Sequence, residues 1–185
     1  QSVVSTMIEG VENKETGEFE TLMNAPTMFQ AAQRIGRVVR NISDTESPAL
    51  AAADVKFDVS FLFGGQIKGS RMRLFMVYTA GNFIECTTDT PYLQIGEHKY
   101  GKPVLDRAMH YDVELYEALK TGLISMDSTM RSNLGVGMPT LITDVPLGDR
   151  AVFFHAENGV IGFGPVAAEG EEDIHLVDAS RGAGP

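Results

Sequence analysis

The stretch Phe57-Asp-Val-Ser-Phe-Leu-Phe-Gly-Gly65 decides the fold class of this chain. Its apolar side chains alternate with Asp58 and Ser60, and a period of two residues predicts a β-strand. The paired glycines at its end allow a bulge or the close approach of another backbone. The turn Ala80-Gly-Asn82 further along indicates an antiparallel meander. The same pattern predicts strands at Arg71–Thr79, Phe83–Thr87 and Tyr92–Ile95, and short strand candidates at Leu141–Val145 and Ala151–Phe154.

Helical signals lie on both sides of these strands. Asn24 is predicted to cap a helix that has Pro26 in its first turn and ends near Ser43. Lys102-Pro103 opens a second helix, and Asp112 caps a third that runs towards Met126. Residues 10–20 are polar and are predicted to form a surface loop. Helices before and after a run of strands indicate an α+β domain built from layered sheets.

Three arginines, Arg34, Arg37 and Arg40, fall on or beside the polar face of the first of these helices. Two interpretations are open for them. A solvated helix face is the favoured one, and a basic binding patch is the alternative.

Composition excludes several classes of function. The formal net charge of −10 argues against nucleic-acid binding, because phosphate recognition needs a clustered basic surface. No apolar run approaches the 18 residues of a membrane span, and no signal peptide is visible. The single cysteine, Cys86, cannot form an internal disulfide, which favours a reducing cytoplasm. The chain starts at Gln1 without an initiator methionine, so we expect a piece of a longer protein.

No metal centre or cofactor is predicted. The four histidines show no ligand spacing with Cys86 or with acidic neighbours, so zinc is not expected. One polar cluster, Asp127-Ser-Thr-Met-Arg-Ser132, places a carboxylate and three hydroxyls near the end of a helix. Such a cluster either caps the helix end or orients a nearby amine or hydroxyl. Spacing alone favours capping of the helix end.

The four histidines without ligand spacing are His98, His110, His155 and His175.

Two long motifs carry a resemblance over residues 1–132. They are Thr90-Pro-Tyr-Leu-Gln-Ile-Gly-Glu-His-Lys-Tyr-Gly-Lys-Pro-Val-Leu-Asp-Arg107 and Ile124-Ser-Met-Asp-Ser-Thr-Met-Arg-Ser-Asn133. Both resemble Anbu, a bacterial proteasome-like family of N-terminal-nucleophile hydrolases. The resemblance implies an αββα sandwich, incomplete here, and self-assembly into a ring-like or helical homo-oligomer. It also implies hydrolysis of a peptide or amide by a terminal threonine, whose own amine acts as the base.

The chain departs from that family at the catalytic start. The opening strands, with the threonine nucleophile and its Asp and Lys, would precede Gln1 and are absent here. In proteasome subunits an Asp and a Ser three positions later hold the terminal amine, and Asp127 matches that Asp. Met130 stands where the Ser is expected, so Ser128 or Ser132 would have to substitute. Glu97 replaces the Ser of the proteasome Gly-Ser loop.

A second resemblance covers residues 133–181 and indicates a join near Asn133. Asn133-Leu-Gly-Val-Gly-Met-Pro139 and Phe154-His-Ala-Glu-Asn-Gly-Val-Ile-Gly-Phe-Gly-Pro165 resemble the B subunit of 3-oxoacid CoA-transferases. In that family a glutamate attacks acyl-CoA and forms a glutamyl-CoA thioester, and Glu157 is the matching nucleophile. Glu157 as an ordinary turn carboxylate is the alternative.

Three functions therefore compete. The leading one is a proteasome-like threonine hydrolase subunit represented without its nucleophile, with Asp127, Ser128, Ser132 and Glu97 as supporting residues. The second is a CoA-transferase fragment that uses Glu157. The third is a non-catalytic assembly piece. The expected boundaries are 1–132 for the proteasome-like domain and 133–185 for the transferase-like segment, which is expected to supply a last strand between Gly135 and Val145.

Overall fold

The computed structural model describes residues 2–136 and the backbones of four later strands. Its helices are α1 (Ser2–Glu9), α2 (Met28–Ala52), α3 (Lys102–Ala108) and α4 (Leu115–Ser132). Its early strands are β1 (Val11–Glu12), β2 (Phe19–Glu20), β3 (Ser60–Gln66), β4 (Arg73–Tyr78), β5 (Phe83–Glu85) and β6 (Tyr92–Gly96). The later strands are β7 (Leu141–Val145), β8 (Ala151–Ala156), β9 (Gly159–Phe163) and β10 (Asp173–Asp178).

Two antiparallel four-stranded sheets form the described framework. Their strand orders are β10-β3-β4-β5 and β6-β9-β8-β7. Both sheets therefore combine strands from before and after Asn133. The strand that lies beside β6 is β9, whereas β7 lies at the far edge of its sheet. The α+β class and the meander of β3, β4 and β5 predicted from the sequence are confirmed.

The first sheet packs against α1 and α2 through an aromatic core. Phe63 lies opposite Phe75 in the β3–β4 register, and their ring centroids are 6.1 Å apart. Phe83 meets the edge of Phe75 at 5.7 Å and that of Phe29, from α2, at 5.3 Å. Such ring pairs contribute about 0.5–1.5 kcal/mol each beyond the area they bury. The core also contains Val3, Met7, Ile35, Val39, Phe61 and Val77.

Strand β3 is buried on both faces. Phe61 and Phe63 face α2, while Leu62, on the opposite face, is also fully buried. The opposite face lies towards β6 of the second sheet. The strand predicted to begin at Phe57 begins at Ser60 instead, because its pairing with β4 starts at Ser60 and its pairing with β10 starts at Phe61.

Helix α2 differs from its predicted bounds at both ends. Thr27, not Asn24, caps it by accepting a hydrogen bond from Gln30 N at 3.1 Å. The Asn24 carboxamide is engaged instead with the backbone of Thr21 and Phe19. The helix also continues past Ser43 to Ala52. Pro48 removes one N–H from this exposed last part, where water can satisfy the freed carbonyl and the alanines favour helix.

Helix α4 was also predicted with wrong bounds. It begins at Leu115, with Glu114 in the cap position, and runs to Ser132 rather than Met126. Asp112 does not cap it, because its carboxylate contacts His110 Nδ1 at 2.8 Å. The predicted loop at 10–20 contains a small hairpin of β1 and β2.

The arginines of α2 fit neither predicted interpretation completely. The Arg34 side chain is only 11% exposed, and its Nε lies 3.6 Å from Glu20 Oε1. Arg37 forms an ion pair with the same carboxylate, and Arg40 Nε donates to Ala80 O at 3.3 Å. These arginines tie α2 to the hairpin and to the β4–β5 turn.

Among the described helices, none is long and apolar enough to cross a membrane.

A glycine pair sets the distance between α2 and the sheet. A Cβ placed on Gly36 would lie 2.1 Å from Gly81 O, and one on Gly81 would lie 2.3 Å from Gly36 O. Gly81, in the β4–β5 turn, also has φ +77°, which disfavours other residues. Neither position has room for a side chain unless a backbone moves.

We expect Gly36→Ala to destabilise the fold by about 1–3 kcal/mol, because the added methyl group collides with a carbonyl oxygen. The sign of the change in the free energy of unfolding is the test. Alanine in an unobstructed helix would instead stabilise by about 0.5–1 kcal/mol. Urea unfolding measures the difference, and Gln33→Ala on the exposed side of α2 is the control. A stabilised Gly36→Ala variant would contradict the contact.

Candidate functional site

The segment after β6 forms a tight turn that presents Glu97. Gly96 ends the strand with φ +99°, a conformation that favours glycine. The Gln94 side chain closes the turn by donating from Nε2 to Glu97 O at 2.8 Å. His98 Nε2 lies 3.2 Å from Gln94 O. These contacts hold the Glu97 backbone in one place.

The Glu97 carboxylate joins this turn to the end of α4. One oxygen accepts from Lys99 N at 2.7 Å, and the other accepts from Asn133 Nδ2 at 2.8 Å. The hydrogen bond from Lys99 N, then that from Asn133, holds the pKa of Glu97 below its ordinary value of 4.5. Glu97 is therefore ionised at neutral pH and can accept further hydrogen bonds from a cationic group.

The buried side of α4 is packed against the start of α3. Ser125 and Thr129 are buried there, and Thr129 Oγ1 donates to Ser125 O at 2.9 Å. A Cβ on Gly101 would lie 2.5 Å from Ser125 Oγ and 2.6 Å from Thr129 Oγ1. Only glycine therefore allows the two helices to approach this closely, which fixes α4 relative to the Glu97 turn.

The residues predicted from the Asp127 cluster separate onto different sides of α4. Asp127 lies two residues, or about 200°, round the helix from buried Thr129. It is exposed and contacts Arg131 Nε at 2.8 Å. Ser128 is half-buried, and Ser132 is exposed in the last turn, next to Asn133. The amine-holding role predicted for Asp127 and for a nearby serine stays a prediction.

Glu97 and Asn133, the residue that follows α4, are thus brought together. Three further residues belong to this region and were not singled out from the sequence. They are Gln94, Ser125 and Asn133. Gln94 Oε1 and Ser125 Oγ are buried without a hydrogen-bond partner in the described part of the chain. In the sequence, these two residues could have been singled out only as polar residues within an otherwise apolar strand and helix face.

The remaining predicted groups give no assembled centre in the described residues. Glu157 lies outside them, so the structure does not describe the transferase nucleophile. His110 contacts Asp112, and His98 belongs to the Glu97 turn. Within residues 2–136 no group of three or more His, Cys, Asp or Glu side chains is arranged to hold a metal ion.

The chain is similar to solved structures of Anbu (ancestral beta-subunit) proteins. It is 42% identical to Anbu from Yersinia bercovieri, with a TM-score of 0.64 over 84% of this chain and 58% of that chain. For Anbu from Hyphomicrobium sp. strain MC1 the identity is 39% and the TM-score 0.62, over 97% of this chain and 64% of the other. A structure described as the helical assembly of the Anbu complex from Pseudomonas aeruginosa is 34% identical, with a TM-score of 0.66 over 92% and 65%.

A short segment is similar to a different group of proteins. Over 49 residues the chain is 53% identical to the B subunit of 3-oxoadipate CoA-transferase of Pseudomonas putida, which is 26% of this chain and 22% of that protein. The beta subunit of a probable coenzyme A transferase of Bacillus subtilis is 39% identical over 67 residues, or 36% and 31%. No protein-family model matches the chain.

Both resemblances predicted from the sequence are confirmed, and the likeness to Anbu has far the greater extent. The chain nevertheless spans 58–65% of the length of these Anbu chains. It spans under a third of either transferase relative.

We expect Asn133→Ala to raise the pKa of Glu97 towards 4.5, because one of its two hydrogen-bond donors is lost. The depressed pKa of Glu97 stabilises the fold above about pH 4.5, and this contribution is lost as the pH falls through the folded-state pKa. NMR titration of the Glu97 carboxyl carbon measures the shift. Asn41→Ala, which removes an exposed amide from α2, is the control, and equal pKa values in the two variants would contradict the contact.

Proposed function

We propose that these 185 residues are part of an Anbu-type, proteasome-like subunit that works as a threonine-type peptidase. The observation that carries the proposal is the likeness to Anbu structures over 84–97% of the chain at 34–42% identity. The described residues then supply the scaffold and the support of an active site. The nucleophile belongs to a part of the protein outside this sequence.

The sheet arrangement supports an αββα sandwich. Helix α2 lies on β3, β4 and β5 of one sheet and carries α1 beside it, and α4 lies against β8 of the other sheet. Strand β3 contacts β6 through its second buried face, as facing sheets require. In this proposal the segment 133–185 completes both sheets, whatever the origin of its transferase-like sequence.

In the proposed mechanism a terminal threonine attacks the carbonyl carbon of a peptide bond. Its hydroxyl proton passes to its own α-amine and then to the departing amine, which leaves an acyl-threonine ester. Water hydrolyses this ester and restores the free hydroxyl. The chemistry needs an amine held in one orientation, because a base must stay within hydrogen-bond reach of the proton it takes.

Glu97 is the residue we propose for orienting this amine, with Asn133 hydrogen-bonded to its carboxylate. The Glu97 carboxylate is ionised, is fixed by Lys99 N and Asn133, and lies in the loop that matches the proteasome Gly-Ser loop. Glu97 is thus a positioning residue, and Asn133 acts through it. No residue of this chain is assigned the role of nucleophile.

The proposed protein self-assembles into a ring-like or helical homo-oligomer in the cytoplasm and acts on peptides or amides. Assembly into a helix is described for the Pseudomonas aeruginosa relative. The charge of −10 disfavours nucleic acid as a partner. No cofactor is needed, since the threonine amine serves as the base.

The test uses the complete gene product, in which we expect a threonine directly after the initiator methionine. It should hydrolyse fluorogenic peptides, and replacing that threonine with alanine should abolish the activity. Glu97→Gln should lower kcat by about tenfold, because the amine loses a charge-assisted hydrogen bond that holds it in place. Glu46→Gln on the exposed part of α2 is the matched control. A gene without the threonine, or an active alanine variant, would refute the proposal.

A second candidate function rests on the short transferase likeness. Glu157 would attack the acyl-CoA carbonyl, break the carbon–sulfur bond and form a mixed anhydride with release of CoA thiolate. The thiolate would then attack the glutamyl carbonyl, displace the acyl group as a carboxylate and leave a glutamyl-CoA thioester.

This candidate predicts that acyl-CoA labels the 185-residue chain at Glu157. Borohydride should then reduce the thioester, and peptide mass spectrometry should locate the product, whereas Glu157→Gln should remain unlabelled. An unlabelled wild-type chain eliminates the transferase. Large particles without either activity would instead support the third possibility, an assembly piece.

A further inference from the structure

The outer side of α4 carries an apolar strip with no covering element in the described part of the chain. Tyr116, Leu123 and Ile124 are 66%, 41% and 56% exposed. The opposite side of the same helix buries Ala118, Ser125 and Thr129. Hydrophobic side chains grouped on one exposed helix face indicate contact with another protein surface.

Charged residues lie on either side of Leu123 and Ile124, the centre of this strip. Glu117 and Lys120 form an ion pair at 2.8 Å between Tyr116 and this centre, and Asp127 and Arg131 form one at 2.8 Å on its C-terminal side. Lys120 and Asp127 are seven residues apart, as are Glu117 and Ile124, so these groups share the face of the strip. Along the helix the order is acid, base, apolar centre, acid, base.

This order is complementary to itself only when the helix is reversed. Lys120 and Asp127 lie at equal distances, about 5 Å, on either side of the midpoint between Leu123 and Ile124. Glu117 and Arg131 lie about 10 and 11 Å from it. An antiparallel copy therefore places each acid opposite a base, whereas a parallel copy in register places each charge opposite its like.

We propose that the outer face of α4 binds the same face of a second copy of this chain, antiparallel and around a two-fold axis at Leu123 and Ile124. A two-fold contact requires such a self-complementary surface. In the pair, Lys120 faces Asp127 of the second copy and Glu117 faces its Arg131. The proposal rests on the self-assembly part of the proposed function and names the surface that carries one of its contacts.

Asp127 has two alternative roles, which the proposal separates. The carboxylate cannot hold a terminal amine while it faces Lys120 of another copy. Its contact with Arg131 places it on the outer face, away from the buried side of α4, and the proposal commits to the interface role.

The first test compares Leu123→Glu with Val55→Glu in the 185-residue chain by sedimentation velocity. Both positions are exposed to a similar extent, 41% and 50%, but Val55 lies beyond the end of α2. Leu123→Glu should raise the dissociation constant of the dimer about tenfold or more, because it places two like charges at the axis. Val55→Glu should leave it unchanged. A monomeric wild type, or equal effects of both variants, overturns the proposal.

Charge reversal gives a test that a folding defect cannot imitate. Glu117→Arg and Arg131→Glu should each weaken the dimer, because each places two like charges opposite one another. The double variant restores an acid opposite a base and should recover dimerisation, although both pairs within the helix then become repulsive. Absence of recovery in a folded double variant overturns the antiparallel register.

Cross-linking locates the axis directly. Leu123→Cys should form a disulfide-linked dimer on mild oxidation, because the two thiols would face each other near the axis. The native Cys86 gives little background, since burial raises the pKa of its thiol to about 11 and its Sγ donates to Thr90 O. Val55→Cys is the control, and equal cross-linking of both variants refutes the assigned surface.

The outcomes separate this inference from the proposed peptidase. Peptide hydrolysis by the complete gene product with assembly unaffected by Leu123→Glu would remove the α4 contact and leave the peptidase standing. An inactive gene product whose dimer is still weakened by Leu123→Glu would remove the peptidase and leave the α4 contact standing.

Discussion

The packing of α2 against the β3–β4–β5 meander is the contact on which the rest of the described structure depends. Phe63, Phe75 and Phe83 present a continuous aromatic surface to this helix. The helix can reach that surface because Gly36 and Gly81 meet backbone to backbone. Burial of these rings contributes strongly to the stability of the fold, and it requires α2 to lie close to the sheet.

With that layer in place, β3 has a second buried face, and this face determines where the other sheet lies. Leu62 and Leu93 are both buried, and β3 contacts β6. Strands β9 and β10, from the transferase-like part of the sequence, then pair with β6 and β3 respectively. A segment that resembles one family is thus accommodated in the sheets of a structure that resembles another. Backbone pairing makes this possible, because ladder hydrogen bonds need an extended strand rather than a particular sequence.

Helix α4 connects the candidate site to the molecular surface. Its buried side meets Gly101, and its last residue leads to Asn133, which hydrogen-bonds Glu97. Its outer side carries the alternating charges around Leu123 and Ile124. The close contact with Gly101 fixes the buried side of α4, and this also fixes the position of its outer side. This arrangement gives a physical route by which assembly and the Glu97 turn would be linked.

The sequence alone determined the α+β class, the central meander and the likeness to Anbu, because period-two alternation and long local motifs are readable without coordinates. It also indicated Glu97 through its place in the Gly-Glu turn. Only the structure decided that Thr27 rather than Asn24 caps α2, because the Asn24 side chain is held by Arg34 and by the backbone of Phe19. It also decided that Glu97 meets Asn133 while Asp127 turns outward. Glu97 and Asn133 are 36 residues apart in the sequence and meet only when α3 packs against α4. Their spacing along the chain does not predict this contact.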